Sequence, residues 1–278
     1  MADERRLNEL LKAFIQESPE YRNVTMPESL NGRRDMLRSL MNVRKPGPLG
    51  PEVSRIQNMY LRERSQEKMP VRPQEMPSVK ENFGAEIPYG EKISVWKGDI
   101  TRIAADAVVN AANNQMLGCF IPMHSCIDNQ IHTYAGTELR LECAEIMENY
   151  RRIYGRDYVQ PTGKPIITGG YNLPCKHVIH VVGPIVGGKL RKSDEDLLAD
   201  CYRNVLDLCL ENNLRSVAFC CISTGVFHFP NQRAAEIAVE TVMNWMEKHP
   251  HGIDKVIFNV FKDEDNEIYI KTLKDLER

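Results

Sequence analysis

Ile93-Ser-Val-Trp-Lys-Gly98-Asp99-Ile100-Thr101-Arg-Ile-Ala-Ala-Asp106-Ala-Val-Val-Asn110-Ala-Ala-Asn113 is the stretch that decides the fold class. Two short apolar runs, 93–96 and 106–110, have strand composition, and each ends in a loop of small and polar residues. The same unit returns downstream: short β-rich runs at 165–168, 178–182, 216–222 and 255–260 are separated by longer amphipathic stretches near 129–150, 194–212, 232–248 and 265–276. Strands alternating with helices predict an α/β layered fold, with helices on both faces of a largely parallel sheet. In such sheets ligands bind beyond the carboxyl ends of the strands, so the loops that follow strands carry the functional reading.

Upstream of residue 76 the pattern is helical. Leu7, Leu10, Leu11, Phe14 and Ile15 recur at helical spacing. A second helix is expected from Pro27 through Leu30, Leu37, Leu40 and Met41 until Lys45-Pro46-Gly47-Pro48 stops it, and a third after Pro51 with Val53, Ile56 and Tyr60 on one side. Pro70, Pro73 and Pro77 mark a linker around 70–85. The expected organisation is a helical extension over 1–75 and an α/β domain over 76–278.

The 278 residues carry 36 Lys+Arg against 38 Asp+Glu, 42% hydrophobic residues and a net charge of −2. That balance argues against a dedicated nucleic-acid binder, whose domain is strongly basic. No apolar run approaches the ~18 residues of a membrane span, and the start, Met1-Ala-Asp-Glu-Arg-Arg, has no apolar signal region, so a cytoplasmic protein is expected. All 8 cysteines lie at or beyond Cys119, and the adjacent pair Cys220 and Cys221 would face opposite sides of a strand. Reduced thiols, buried or metal-binding, are the expected state.

Three strand-end loops stand out. Asp99 can accept hydrogen bonds from a ligand amine or cap a helix; Asn110–Asn113 offers carboxamides beside small alanines; Ile222-Ser223-Thr224-Gly225-Val226-Phe227 has the small residues that a backbone-amide cradle for phosphate requires. Each alone also reads as a plain turn. Together, in this order, they resemble the macrodomain family of ADP-ribose-binding modules over roughly residues 86–278. The resemblance implies a three-layer α/β/α sandwich. It implies Asp99 and Ile100 at the adenine end, Asn113 near the distal ribose, and Ser223, Thr224, Gly225, Val226 and Phe227 around the diphosphate. Phe261, just past the last strand, either stacks on adenine or is a core aromatic. The run Gly183-Pro-Ile-Val-Gly-Gly188-Lys189 mimics part of an NTP-binding loop. It lacks the metal-binding Ser/Thr, since Leu190 follows, and Pro184 removes an amide donor, so it reads as a loop of the same sheet.

The most informative loop is Leu117-Gly-Cys119-Phe-Ile-Pro122-Met-His124-Ser-Cys126-Ile-Asp128. Two thiols and one imidazole within eight residues form a borderline-soft set suited to Zn²⁺, and three ligands rather than four is the number an open, catalytic zinc site would have. The competing reading is that Cys119, His124 and Cys126 are ordinary buried or surface residues. Hydrolytic macrodomains carry a glycine-rich loop here. The departure resembles the zinc-dependent branch of the family, known as protein-ADP-ribose hydrolases, which also carries an N-terminal helical extension. Asp128 matches an acidic residue serving the distal ribose and also reads as a helix N-cap. His132, four residues on, is a candidate ligand or a buried structural histidine, and Cys143, Cys175, Cys201 and Cys209 read as packing.

The resemblance therefore implies zinc-dependent removal of mono-ADP-ribose from protein side chains. Zinc would bind a ribose hydroxyl or activate a water, while Asn113 and Asp128 orient the sugar. It further implies acidic acceptors, on a lipoyl-carrier protein modified by a sirtuin-like transferase. Two other classes fit the same residues: a non-catalytic reader of ADP-ribose, and a fold whose zinc is purely structural.

Overall fold

A computed structural model describes residues 3–17, 19–21 and 23–277. The N-terminal helices are α1 (Glu4–Glu17), α2 (Leu30–Val43) and α3 (Pro51–Glu67). Helix α2 begins where the Ser29 hydroxyl accepts the Gly32 N–H at 3.1 Å, three residues after the expected Pro27 start. Pro51 opens α3 at its first turn, where a missing N–H costs nothing. The apolar faces of α1 to α3 close on one another as a separate small core of Leu7, Leu10, Leu11, Phe14, Leu37, Leu40 and Tyr60.

The segment expected as a linker is ordered against the main body. Val71 pairs with Ile103 in an isolated bridge, and Met76 and Val79 lie in the main core. A one-turn helix, α4 (Val79–Phe83), is closed by a Ser78–Glu81 capping box and by Gly84 in the left-handed region.

The main body contains β1 (Ile93–Lys97), β2 (Ala107–Ala112), α5 (Ile127–Ala135), α6 (Thr137–Tyr154), β3 (Ile166–Gly169), β4 (His177–Val182), α7 (Lys192–Glu211), β5 (Ser216–Phe219), α8 (Asn231–Lys248), β6 (Lys255–Val260) and α9 (Asp263–Asp275). The strand order is β1-β6-β5-β2-β4-β3, parallel throughout except for the terminal β3 against β4. The one helical stretch expected near 129–150 is two helices, because Gly136 at φ 102 turns the chain where an L side chain would be strained. The strand expected over 216–222 ends at Phe219, and residues 220–222 already belong to the loop.

Strand alternation assigns the layers. Asn110 and His180 point to the face covered by α5 and α6, where Asn110 meets Asp128 and His180 lies beside Cys143. Phe219 and Phe258, paired in register, point the other way, against Tyr202 of α7 and Tyr269 of α9. The result is the expected three-layer α/β/α sandwich, with α2 and α3 packed outside α5. Because β1, β2, β4, β5 and β6 run in one direction, the loops after Lys97, Ala112, Val182, Phe219 and Val260 all open on the same edge. Among the described residues no helix is long and apolar enough to cross a membrane, and all eight cysteines are free.

Candidate active site and metal centre

The loop after β2 brings Cys119, His124 and Cys126 together. Cys119 Sγ lies 3.6 Å from His124 Nδ1, and one donor atom from each of the three residues falls within 4.8 Å of the others. Those separations suit ligands arranged at ~2.0–2.3 Å from one ion, and two sulfurs with one imidazole suit Zn²⁺. All three are half-buried, accessible to an incoming group but shielded on the protein side. Burial, with the Cys119 thiol and the Asp128 carboxylate beside it, pushes the Cys126 thiol up to about 12. A cation is what would favour the thiolate there.

Backbone shape holds the bend. Met116, Gly118 and Met123 lie at positive φ (61, 80 and 57°). A Cβ on Gly118 would meet the His132 ring at 2.8 Å, so the loop rests directly on that imidazole. Cys126 is the N-cap of α5, its sulfur accepting the Asn129 N–H at 3.4 Å. The cap reading of Asp128 is thereby corrected. Asp128 lies two residues inside, in the first turn, and its carboxylate faces the sheet, accepting from Asn110 Nδ2 at 2.8 Å and Asn113 Nδ2 at 3.3 Å. Burial raises Asp128 to about 6 against these hydrogen bonds and the nearby Arg140 charge. Asn113 also donates to the Gly118 carbonyl at 3.2 Å, tying the strand end to the loop that carries Cys119, His124 and Cys126.

His132 lies in a second buried group with Cys143 and His180. It is not a fourth donor to the Cys119 group, and neither of its ring nitrogens has a hydrogen bond among the described residues. Burial, followed by the facing His180, holds it neutral, well below the ordinary histidine value. His180 has both nitrogens occupied, Nδ1 by Asn110 at 3.0 Å and Nε2 by Thr168 Oγ1 at 2.9 Å, so this group is a polar support beneath Asp128. Cys143, read from sequence as packing alone, belongs to that support, with its sulfur 3.8 Å from His180 Nε2.

At the other end of the edge, Asp99 caps the turn Ile100–Arg102, accepting from Thr101 N–H at 2.9 Å, and pairs with Lys68 Nζ of the α3 C-cap at 2.7 Å. Burial alone would raise Asp99, but Lys68 and Thr101 outweigh it and hold the carboxylate below its usual range. Ile100 is buried under this turn. Phe261 is 77% exposed, which excludes the core-aromatic reading. It follows the carboxyl end of β6, on the same edge as the loop of Val226, itself 63% exposed.

Between the two ends lies the loop after β5. Ser223 adopts φ 66°, the Thr224 hydroxyl donates to the Cys221 carbonyl at 3.0 Å, and Phe229 N–H closes the turn on the Ser223 carbonyl at 3.0 Å. Among the described residues no hydrogen bond engages the amides of Gly225, Val226 and Phe227, so an exposed stretch of this loop keeps three N–H donors available to a ligand. The loop after β4 lies alongside, with Val186 N–H donating to the Phe227 carbonyl at 2.9 Å, so the 183–189 run is a rim loop of the sheet.

Residues invisible to sequence reading complete the site. Arg140 of α6 donates to the Leu117 carbonyl at 2.8 Å and to the carbonyls of Met41, Asn42 and Arg44 at 2.9, 3.0 and 2.6 Å, with its guanidinium 4.3 Å from the Phe120 ring. Arg38 and Asn42 of α2, and Asn129 of α5, also bond to the 119–126 loop. None has a local motif; Asn129 alone had a signal, as the neighbour of Asp128.

Comparison with known proteins gives three concordant findings. The family model described as "Macro domain" matches residues 109–238. The chain is 44% identical over 264 residues to a "Protein-ADP-ribose hydrolase" of Treponema medium, covering 95% of this chain and 96% of that protein. It is 41% identical over 265 residues to the protein of the same name from Staphylococcus aureus strain MSSA476, covering 95% and 93%. Among solved structures, the Trypanosoma brucei macrodomain in complex with ADP-ribose superimposes with a TM-score of 0.62 at 28% identity, covering 88% of this chain and 96% of that one.

Proposed function

This chain belongs to the Macro domain family, and from that premise we propose that it is a zinc-dependent hydrolase releasing mono-ADP-ribose from modified protein side chains. The names of its relatives support the hydrolase and the ADP-ribosylated substrate. One observation carries the metal: Cys119, His124 and Cys126 converge within 4.8 Å beside Asn113 and Asp128, at the edge where the strand-end loops open.

The roles follow from atoms. The free amides of Gly225, Val226 and Phe227 neutralise a diphosphate without a counter-charge from side chains. Asp99 accepts the adenine amine on an oxygen already shared with Lys68, Ile100 floors that pocket, and Phe261 covers the ring. Asn113 and Asp128 bond to each other, so both are oriented before the distal ribose arrives. Asp128 accepts from ribose hydroxyls or from the attacking water and turns that water toward the anomeric carbon. Zinc held by Cys119, His124 and Cys126 would supply Lewis-acid charge beside that carbon. A carboxylate acceptor leaves without needing a strong acid, which suits the acidic-side-chain linkage; a lipoyl-carrier protein modified by a sirtuin-like transferase is the acceptor that the resemblance favours.

Incubation with a mono-ADP-ribosylated protein tests this reading: free ADP-ribose accumulates with turnover, and a chain that binds the modified protein but releases nothing is the non-catalytic reader instead. The diphosphate cradle has its own test. A Cβ on Gly183 would lie 2.1 Å from Ser223 Oγ and 2.7 Å from Ile222 Cγ2. Gly183→Ala must displace the Ser223 or Ile222 side chain, and the resulting shift of the Gly225–Phe227 amides is expected to weaken ADP-ribose binding roughly tenfold, ~1.4 kcal/mol, by calorimetry. Unchanged affinity would remove the Ser223–Phe227 loop from the binding site.

A further inference from the structure

Residues 119–126 carry three ligands and almost no structure of their own. Among the described residues, one backbone hydrogen bond lies wholly inside the loop, His124 N–H to the Ile121 carbonyl at 3.3 Å. The bend is instead held from outside, by helix α2 of the N-terminal extension. Arg38 Nη2 donates to the carbonyl of the ligand residue His124 at 2.8 Å and to Asn129 Oδ1 at 2.7 Å, and Arg38 Nε donates to the same Asn129 oxygen at 3.2 Å. Asn129, so oriented, donates Nδ2 to the Ile121 carbonyl at 2.9 Å and to the Cys119 carbonyl at 3.5 Å, while its own N–H reaches Cys126 Sγ. One guanidinium therefore reaches, directly at His124 and otherwise through the side chain and backbone of one asparagine, the segments bearing all three ligands.

Asn42, one turn further along α2 and 1% exposed, fixes the remaining corner. Its Oδ1 accepts the N–H of Met123 at 3.1 Å, the residue at φ 57° just before His124, and its Nδ2 donates to Thr133 Oγ1 of α5 at 2.9 Å. A left-handed methionine costs free energy that surrounding bonds must offset.

From this arrangement we infer that α2 is the positioning element of the zinc loop, with Arg38 and Asn42 as positioning residues that set metal affinity without touching the metal or the nucleotide. The inference rests on the zinc reading above. Groups that orient ligands from the next shell typically contribute tenfold to a hundredfold in metal affinity.

The test uses the full chain, with zinc itself as the probe. Zinc dissociation constants are measured by competition with a chromophoric chelator for the wild type, Arg38→Met, Arg38→Lys and Asn42→Ala, and ADP-ribose affinity is measured on the same samples. Arg38→Met and Asn42→Ala are expected to weaken zinc binding by roughly 10- to 100-fold while ADP-ribose affinity stays within about twofold. Arg38→Lys, able to reach the His124 carbonyl but not to clamp Asn129 with a fork, falls between. If Arg38→Met does not fold, Asn42→Ala decides alone, since it removes only the bonds to Met123 and Thr133. Wild-type zinc affinity in the folded variants overturns the inference and leaves the zinc reading standing. A wild type that binds no zinc overturns both.

Discussion

Alanine at Cys119, His124 or Cys126 is expected to lower the release of ADP-ribose from a modified protein by roughly 10²- to 10⁴-fold, with ADP-ribose affinity changed only a few-fold. The magnitude follows from removing a Lewis acid worth several kcal/mol at the reacting carbon. The asymmetry follows from geometry. The amides proposed for the diphosphate lie on the loop after β5 and the Asp99 turn lies after β1, on elements separate from the 119–126 bend. One of the three positions needs a finer variant. Cys126 also caps α5 through its sulfur, so alanine there costs about 1 kcal/mol of helix stability besides the ligand. Cys126→Ser keeps an N-cap oxygen and removes the soft thiolate. It should melt like the metal-free wild type and still lose turnover and zinc. Full hydrolytic rate in Cys119→Ala and Cys126→Ser, assayed by free ADP-ribose, would show that these thiols carry no chemistry.

Arg140→Met is expected to be the most destabilising single change near the site, by about 3–5 kcal/mol, or roughly 10 °C in a thermal melt. Arg140 is 5% exposed and satisfies four backbone carbonyls, one at Leu117 just before Cys119 and three at the end of α2. A cation there also compensates the negative end of the α2 dipole. Burial lowers its pKa to about 10, which still leaves it charged at neutral pH. Methionine fills much of the volume and answers none of the carbonyls, so two buried and two part-buried acceptors lose their donor together. Arg140→Lys retains the charge but cannot fork to both sides, and should recover part of the loss. A melting temperature within about 2 °C of the wild type in Arg140→Met would show that water or neighbouring donors replace the guanidinium.

The layered fold was legible because it is written locally. The runs over 93–113 alternate strand and loop in one reading frame, and short range decides that pattern. The convergence of Cys119, His124 and Cys126 was legible for the same reason, as three potential donors within eight residues. Gly136 broke the α5–α6 stretch, and a lone glycine in a helical pattern is a weak signal until its φ is known. What could not be read acts over long separations. Arg38 reaches residues 86 and 91 positions away, Arg140 those up to 99 away, and Lys68 an aspartate 31 away. The extension was visible as three amphipathic helices, but its service to the metal loop depends on which carbonyls face which guanidinium. Asp128 shows the same limit from the other side. Its position before a helix suggested a cap, whereas the sulfur two residues earlier takes that role and frees the carboxylate to face Asn110 and Asn113.

The most direct test of the central claim is the rate of ADP-ribose release followed against zinc per chain, as the metal is withdrawn by a chelator and then restored. Turnover proportional to zinc content, falling to near zero in the metal-free protein and returning on addition of one equivalent, is the predicted result. A metal-free, folded chain that releases ADP-ribose as fast as the zinc-loaded one would contradict it.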